Sequence, residues 1–265
     1  MKDGFWMQLD PRQSVDREMV ARGGVWEPAL RAVMKRYLRP GDAFVDVGAH
    51  KGWASCLGAR LTGPGGLVVS VDPDPRAFAG LMANIVRNEF ATVQACQCAL
   101  GDADGELRLS LTRTIGNTSA FPNHIARSEV VEELTVRCTT LDSLLRGLDI
   151  KGRDLPLIKM DAEGAEPTIW DGMQATLSAF KPAIALEINY ASLQAARRDL
   201  GEFKTAMEQS GYTRWFRMTV QSGVWGRPQL SLKATDLFGE DELLIDVLAI
   251  PQDGDRMAAI RPFIH

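Results

Sequence analysis

Apolar positions set the element order along this chain. Trp26, Leu30, Val33, Met34, Tyr37 and Leu38 recur at helical spacing, and Arg39-Pro40-Gly41-Asp42 stops that helix. Residues 43–47 then read as a strand and residues 52–61 as a helix, ended by Thr62-Gly63-Pro64-Gly65-Gly66. A strand follows at 67–71, a helix after Pro73 and Pro75 reaches Asn88, and a third strand covers 92–98. Glu106–Leu111 and Leu134–Cys138 alternate like two hairpin arms, with the polar stretch 112–132 between them as a surface loop or lid. Thr139-Thr140 caps a short helix through Leu145, and Leu155–Met160 is a nearly continuous apolar run, as a buried parallel strand should be. After the tight turn 161–167, the pattern predicts a helix over 166–180, a strand over 183–188 ending near Glu187, and a helix over 191–209. Strands near 212–220 and 243–250 close the chain around a polar insertion at 221–240. Alternating βα units ending in two late strands predict an α/β, doubly wound, mostly parallel sheet with an antiparallel edge strand and a hairpin insertion.

Composition narrows the class. The chain has 265 residues and 45% apolar content, enough for a sizeable core. It divides into an N-terminal extension at 1–25, a possible cap set off by Gly23-Gly24, and a main domain at 26–265 with insertions at 105–138 and 221–240. The formal charge is −4 without a single-sign block, which argues against a nucleic acid or an anionic membrane surface as partner. Met1–Asp10 lacks a signal-peptide core, and no stretch is long enough to span a bilayer. Four cysteines, at 56, 96, 98 and 138, form no CxxC pair and read as thiols in a reducing cytoplasm.

The candidate chemistry starts at Phe44-Val45-Asp46-Val47-Gly48-Ala49-His50-Lys51-Gly52. A strand ends in an acid and a glycine-bearing turn, and the next strand ends in a second acid, Asp72. This arrangement describes a nucleoside pocket, in which Asp72 can accept both ribose hydroxyls. The spacing D-x-G-x-x-x-G differs from the G-x-G-x-x-G that cradles a pyrophosphate. It favours S-adenosylmethionine, which carries adenosine but no phosphate. An NAD-dependent oxidoreductase is the rival enzyme class, and a non-catalytic nucleoside-binding scaffold is the rival outside enzymes.

The chain also carries Val71-Asp72-Pro73-Asp74-Pro75, Ala99-Leu100-Gly101-Asp102, Thr140-Leu141-Asp142 and Ile158-Lys159-Met160-Asp161-Ala162-Glu163-Gly164-Ala165-Glu166. With the first loop, and in this order, these motifs resemble the FkbM-type methyltransferases over about residues 26–190. Two positions depart from the family pattern: His50 stands where Asn is usual, and Asp72 where Glu is usual. The resemblance implies a Rossmann-like class I methyltransferase with a seven-stranded sheet, dependent on S-adenosylmethionine. It favours O-methylation of a small-molecule hydroxyl on a sugar, glycolipid headgroup or secondary metabolite. It also implies that Asp46, Gly48 and Gly52, with Ala49 and Trp53 beside them, line the methionine end of the cofactor. Ala99 and Leu100 are expected to flank the adenine.

Asp161 ends a strand at the sheet edge where open α/β folds place ligands. It reads either as an orienting group for acceptor or cofactor, or as a cap of the following helix. Glu187 ends a strand on the same edge. A divalent metal between these two acids is the minority reading; no histidine has ligand spacing with them, and no metal is assigned. Among the three histidines, His124 is the general-base candidate by chemistry. Trp225 and Arg227 read either as a substrate clamp or as exposed loop residues, and Trp170 as core.

Overall fold

The computed structural model describes residues 1–115, 118, 120, 128–148, 150–222, 228–237, 244–254 and 256–265. Five parallel strands form the centre: β1 (Ala43–Val47), β2 (Leu67–Val71), β3 (Val93–Cys96), β7 (Leu157–Met160) and β8 (Ala183–Asn189). β11 (Leu244–Pro251) pairs antiparallel with β8, and β9 (Tyr212–Ser222) pairs antiparallel with β11. These seven strands are the expected sheet. An eighth, β10 (Pro228–Ala234), pairs with β9 and lies inside the insertion read from sequence as polar. The full order is β10-β9-β11-β8-β7-β1-β2-β3. β10 forms because Leu230 and Leu232 are buried in the core that also holds Leu30 and Val33 of α2 (Pro28–Tyr37).

Strand alternation supplies two cores, one on each face of the sheet. Phe44, Val68 and Leu157 face α2, α3 (Trp53–Thr62) and α4 (Pro75–Arg87). Val45, Val69 and Ile158 face α5 (Leu141–Arg146), α6 (Glu166–Asp171), α7 (Gln174–Phe180), α8 (Tyr190–Ala195) and α9 (Leu200–Gln209). Trp170 is fully buried there, edge-on to Phe203 and Tyr212. On the first face α1 (Ser14–Ala21) contributes Met19.

Three sequence expectations change in detail. The third strand ends at Cys96 rather than 98, because the chain leaves the main sheet there. Ala99–Leu100 forms β4, which pairs with β6 (Val130–Thr139) in a small sheet with β5 (Gly105–Thr112). The helix expected at 166–180 is two helices. Gly172 breaks it where the backbone of Gly101 packs so closely that a Cβ would sit 1.9 Å from the Gly101 carbonyl oxygen. Asp142 then caps α7, accepting from the backbone of Ala175 and Thr176 at 2.8 Å each. The helix expected at 191–209 is likewise divided, with left-handed Arg197 at the break and Asp199 capping α9.

Candidate active site

The carboxyl ends of β1, β2, β7 and β8 open into a cavity of about 520 Å³, within the range of small-molecule sites. Asp46, Gly48, Ala49, Trp53, Asp72, Ala99, Leu100, Asp161 and Glu187 all line it. Gly52 does not line it; it stands just before the first residue of α3. His124, Trp225 and Arg227 lie outside the described residues, as does much of the stretch read as a lid. Thr118 of that stretch donates to Asp74 at 2.6 Å, beside the cavity.

The glycine loop is held from both sides. Gly48 and Ala49 each donate a backbone N–H to Val71 at 3.0 Å, so the loop crosses toward β2. Gly48 has φ +70°, and a Cβ there would lie 1.8 Å from the Asp161 carbonyl oxygen. Only glycine fits that conformation and that approach. Asp72 accepts the His50 N–H at 2.6 Å and the Asp74 N–H at 2.9 Å. Burial nevertheless outweighs these two hydrogen bonds and pushes Asp72 up to about 7.

Asp46 is fully buried and accepts Ser55 Oγ at 2.5 Å; Ser55 in turn accepts Ser70 Oγ at 2.8 Å. Burial raises the Asp46 pKa against the opposing effects of Lys159 and Ser55. Its Oδ1 makes no hydrogen bond, and neither does the buried Trp53 Nε1. These orphaned atoms, the buried acid Asp72 at the end of β2 and the close glycine loop suit a bound adenosine with a zwitterionic amino-acid tail. The residues therefore fit S-adenosylmethionine.

Lys159 organises this floor, and the sequence reading passed over it. Its Nζ donates to the Gly48 carbonyl at 2.7 Å and the Val47 carbonyl at 3.3 Å. It lies 3.2 Å from Asp161 and 3.8 Å from Asp46. Burial works against its charge, but Asp161, Asp46 and Glu27 outweigh that and hold its pKa above the usual lysine value. The available signal was a lone cation inside a buried strand, where an unpaired charge is too costly to persist.

Asp161 is not a helix cap. The N-cap residue of α6, Ala165, makes no side-chain cap, and Glu166 instead reaches back to accept the Ala162 N–H at 2.7 Å. Asp161 and Glu187 instead share the cavity with Glu27 and Glu163. Burial pushes Glu187 up to about 9, with Asp161, Asp246 and Glu163 adding to it. The same cause raises Glu163 to about 8, Glu27 to about 7 and Asp246 to about 6. Asp246 stands directly opposite Glu187 in the β8–β11 pairing, a like-charge contact that costs stability. Glu27 and Asp246 gave no usable signal in the sequence, because their place follows from register and from a left-handed turn at Glu27.

The sequence matches the methyltransferase FkbM domain over residues 46–213. The chain belongs to the FkbM methyltransferase family. It is a methyltransferase, and its cofactor is S-adenosylmethionine. It is 30% identical over 161 residues to the 31-O-demethyl-FK506 methyltransferase FkbM of Streptomyces tacrolimicus, covering 52% of this chain and 61% of that protein. Methyltransferase 1 of Beauveria bassiana is 26% identical over 209 residues, covering 73% of this chain and 80% of that one. The solved precorrin-6y C5,15-methyltransferase of Geobacter metallireducens aligns over 94% of this chain and 95% of its own, at 12% identity and a TM-score of 0.49. Among the described residues no helix is long and apolar enough to cross a membrane, and no group of three or more His, Cys, Asp or Glu side chains is placed so that it could hold a metal ion.

Proposed function

We propose that this methyltransferase acts on a hydroxyl of a small molecule such as a sugar, a glycolipid headgroup or a secondary metabolite. One observation carries the reading: the wall formed by Glu27, Asp161, Glu163 and Glu187 is a cluster of carboxyl groups, each of which can accept a hydrogen bond. A hydroxyl offers such a wall its proton and presents its oxygen. The name of the Streptomyces relative records an O-methyl transfer on a small molecule, which is consistent with this reading.

When bound, the cofactor supplies a methyl group on a cationic sulfur. In this reading Asp46, Gly48, Ala49 and Trp53 hold its methionine end, with Gly52 shaping the loop. Asp72 takes the ribose diol, and Ala99 and Leu100 flank the adenine. Asp161, fixed by Lys159, orients the acceptor hydroxyl. Glu187 accepts the proton as the oxygen becomes a nucleophile. A base whose pKa lies near the working pH is suited to that task. His124 stands as the rival base. Four free thiols suit a reducing cytoplasm.

The test is methyl transfer to paired acceptors, a polyol and its O-methylated or deoxygenated analogue, with the product located by mass spectrometry. Glu187→Gln should lower turnover about 100-fold or more, the effect of losing a general base, and Asp161→Asn should lower it by misplacing the acceptor hydroxyl. Their affinity for S-adenosylhomocysteine should stay near that of the wild type. Full turnover in both variants, or methyl found on nitrogen or carbon, refutes the assignment.

A further inference from the structure

The segment that precedes the family-matched region lies over the cofactor loop. Met7, Val15, Asp16 and Met19 line the same cavity as Asp72 and Gly48. The segment is tied down along its length. Trp6 exchanges two hydrogen bonds with the Asn88 side chain, at 2.7 and 2.8 Å. Gln8 donates its N–H to Asn84 Oδ1 at 2.7 Å, and Asn84 Nδ2 donates to the Lys51 carbonyl at 2.8 Å. Asn84 thus joins α4, the segment and the loop.

Asp16 is the decisive residue. It is 1% exposed, and Lys51 is 8% exposed. Asp16 Oδ2 accepts Lys51 Nζ at 2.5 Å and the Asp10 N–H at 2.6 Å. Asp16 Oδ1 is buried and has no partner. A buried carboxylate oxygen without a donor loses its hydration and gains nothing in return. The arrangement is stable at least cost if a ligand in the cavity supplies the donor.

We infer that residues 1–21 are a working part of the cofactor site, and that Asp16, held on Lys51, accepts a hydrogen bond from bound S-adenosylmethionine. This rests on the cofactor reading of the cavity. The donor is either the ribose diol or the ammonium of the amino-acid tail. Both are hydrogen-bond donors of the kind an orphaned carboxylate oxygen takes.

The experiment is calorimetric binding of S-adenosylhomocysteine and of adenosine to the full chain and to Asp16→Asn, Asn88→Ala and Asp72→Ala. Asp16→Asn should weaken S-adenosylhomocysteine about tenfold or more, the usual effect of a hydrogen bond to a charged group. Loss with S-adenosylhomocysteine alone identifies the ammonium as the donor; loss with both ligands identifies the ribose. Asn88→Ala loosens the segment but leaves Asp16, and should stay within about threefold of wild type. An equal loss in Asn88→Ala shows that the segment only covers the ligand, and overturns the contact. Wild-type affinity in Asp16→Asn, beside a weakened Asp72→Ala, overturns the inference and leaves the cofactor site standing. Unchanged binding in Asp72→Ala means that the cavity assignment itself is wrong. Should Asp16→Asn not fold, hydrogen exchange on the wild type decides: residues 10–21 should exchange more slowly with S-adenosylhomocysteine, and no change there overturns the inference.

Discussion

Lys159→Met is the most revealing single perturbation. Methionine keeps the length and packing of the lysine stem and removes the charge. Lys159 stands 3.2 Å from Asp161 and 3.8 Å from Asp46. At an effective dielectric constant of about 20, those distances correspond to gross attractions of about 5 and about 4 kcal/mol. Desolvation offsets much of that, because Asp46 is fully buried and Lys159 nearly so. What the mutation measures is therefore the cost of leaving Asp46 buried beside Asp161 with no cation between them. Breaking buried pairs in this way costs about 3–5 kcal/mol. For a chain of this size that lowers the melting temperature by about 6–20 °C.

The loss should also depend on pH. At low pH a proton on Asp46, whose pKa burial already raises, can replace the missing ammonium, so the deficit shrinks; at high pH it is felt in full. Urea denaturation of both proteins at about pH 5 and about pH 8 reads both effects. A deficit below about 1 kcal/mol at the higher pH, or one that does not change with pH, shows that Lys159 acts by packing alone. Binding of S-adenosylhomocysteine should fall too, because Lys159 also anchors the Gly48 and Val47 carbonyls of the loop.

Other consequences can be checked directly. The raised acids Glu187, Glu163, Glu27 and Asp246 hold protons in the folded state that the unfolded chain has released, so stability falls as pH rises from about 4, where the unfolded chain loses them, to about 9, where the folded protein does. Denaturation midpoints should show that slope, Glu187→Gln should flatten it, and a stability that rises over the window contradicts the assignment. Gly172→Ala should cost about 1–3 kcal/mol, because a Cβ must displace the Gly101 carbonyl; an unchanged melting temperature shows that the α6–α7 break has slack. Calorimetry of S-adenosylmethionine and S-adenosylhomocysteine in buffers of different ionisation enthalpy should show more proton release with the cationic ligand, and equal release would remove the link between cofactor charge and the carboxylates.

The sheet was legible where burial on both faces makes a continuous apolar run. Residues 67–71 and the Thr140 cap came out at their observed places because each depends on local pattern alone. β10 was hidden because only Leu230 and Leu232 mark it, between polar neighbours and a proline. The breaks at Gly172 and Arg197 depend on contacts and backbone conformation that the helical period does not record. The site divides in the same way. The glycine loop and Asp72 sit in one βα unit and could be read from spacing. Lys159, Glu27 and Asp16 reach the cavity from three distant stretches, and Asp246 stands behind it opposite Glu187; only strand register and the fold of the N-terminal segment bring them together. The Asp161 ambiguity also needed coordinates, since Glu166 turned out to serve the helix turn.

The charge balance of the cavity ties its two ends together. Lys159 is a fixed cation, 3.8 Å from Asp46 and 3.2 Å from Asp161. Burial and the neighbouring acids instead raise the pKa values of Glu163 and Glu187 to about 8 and about 9. Near neutral pH they hold protons, because like charges this close in a buried site cannot all ionise. A cation entering the cavity favours the ionised form. On the proposed reading, Glu187 becomes a competent base only while a positive sulfur lies nearby. Once that charge is consumed, Glu187 favours its proton again and retains the one taken from the acceptor hydroxyl. A second fixed lysine at this end would hold Glu187 ionised throughout and make the proton harder to keep. Lys159, placed under the glycine loop rather than beside Glu187, therefore suits a site whose base responds to the charge of its ligand.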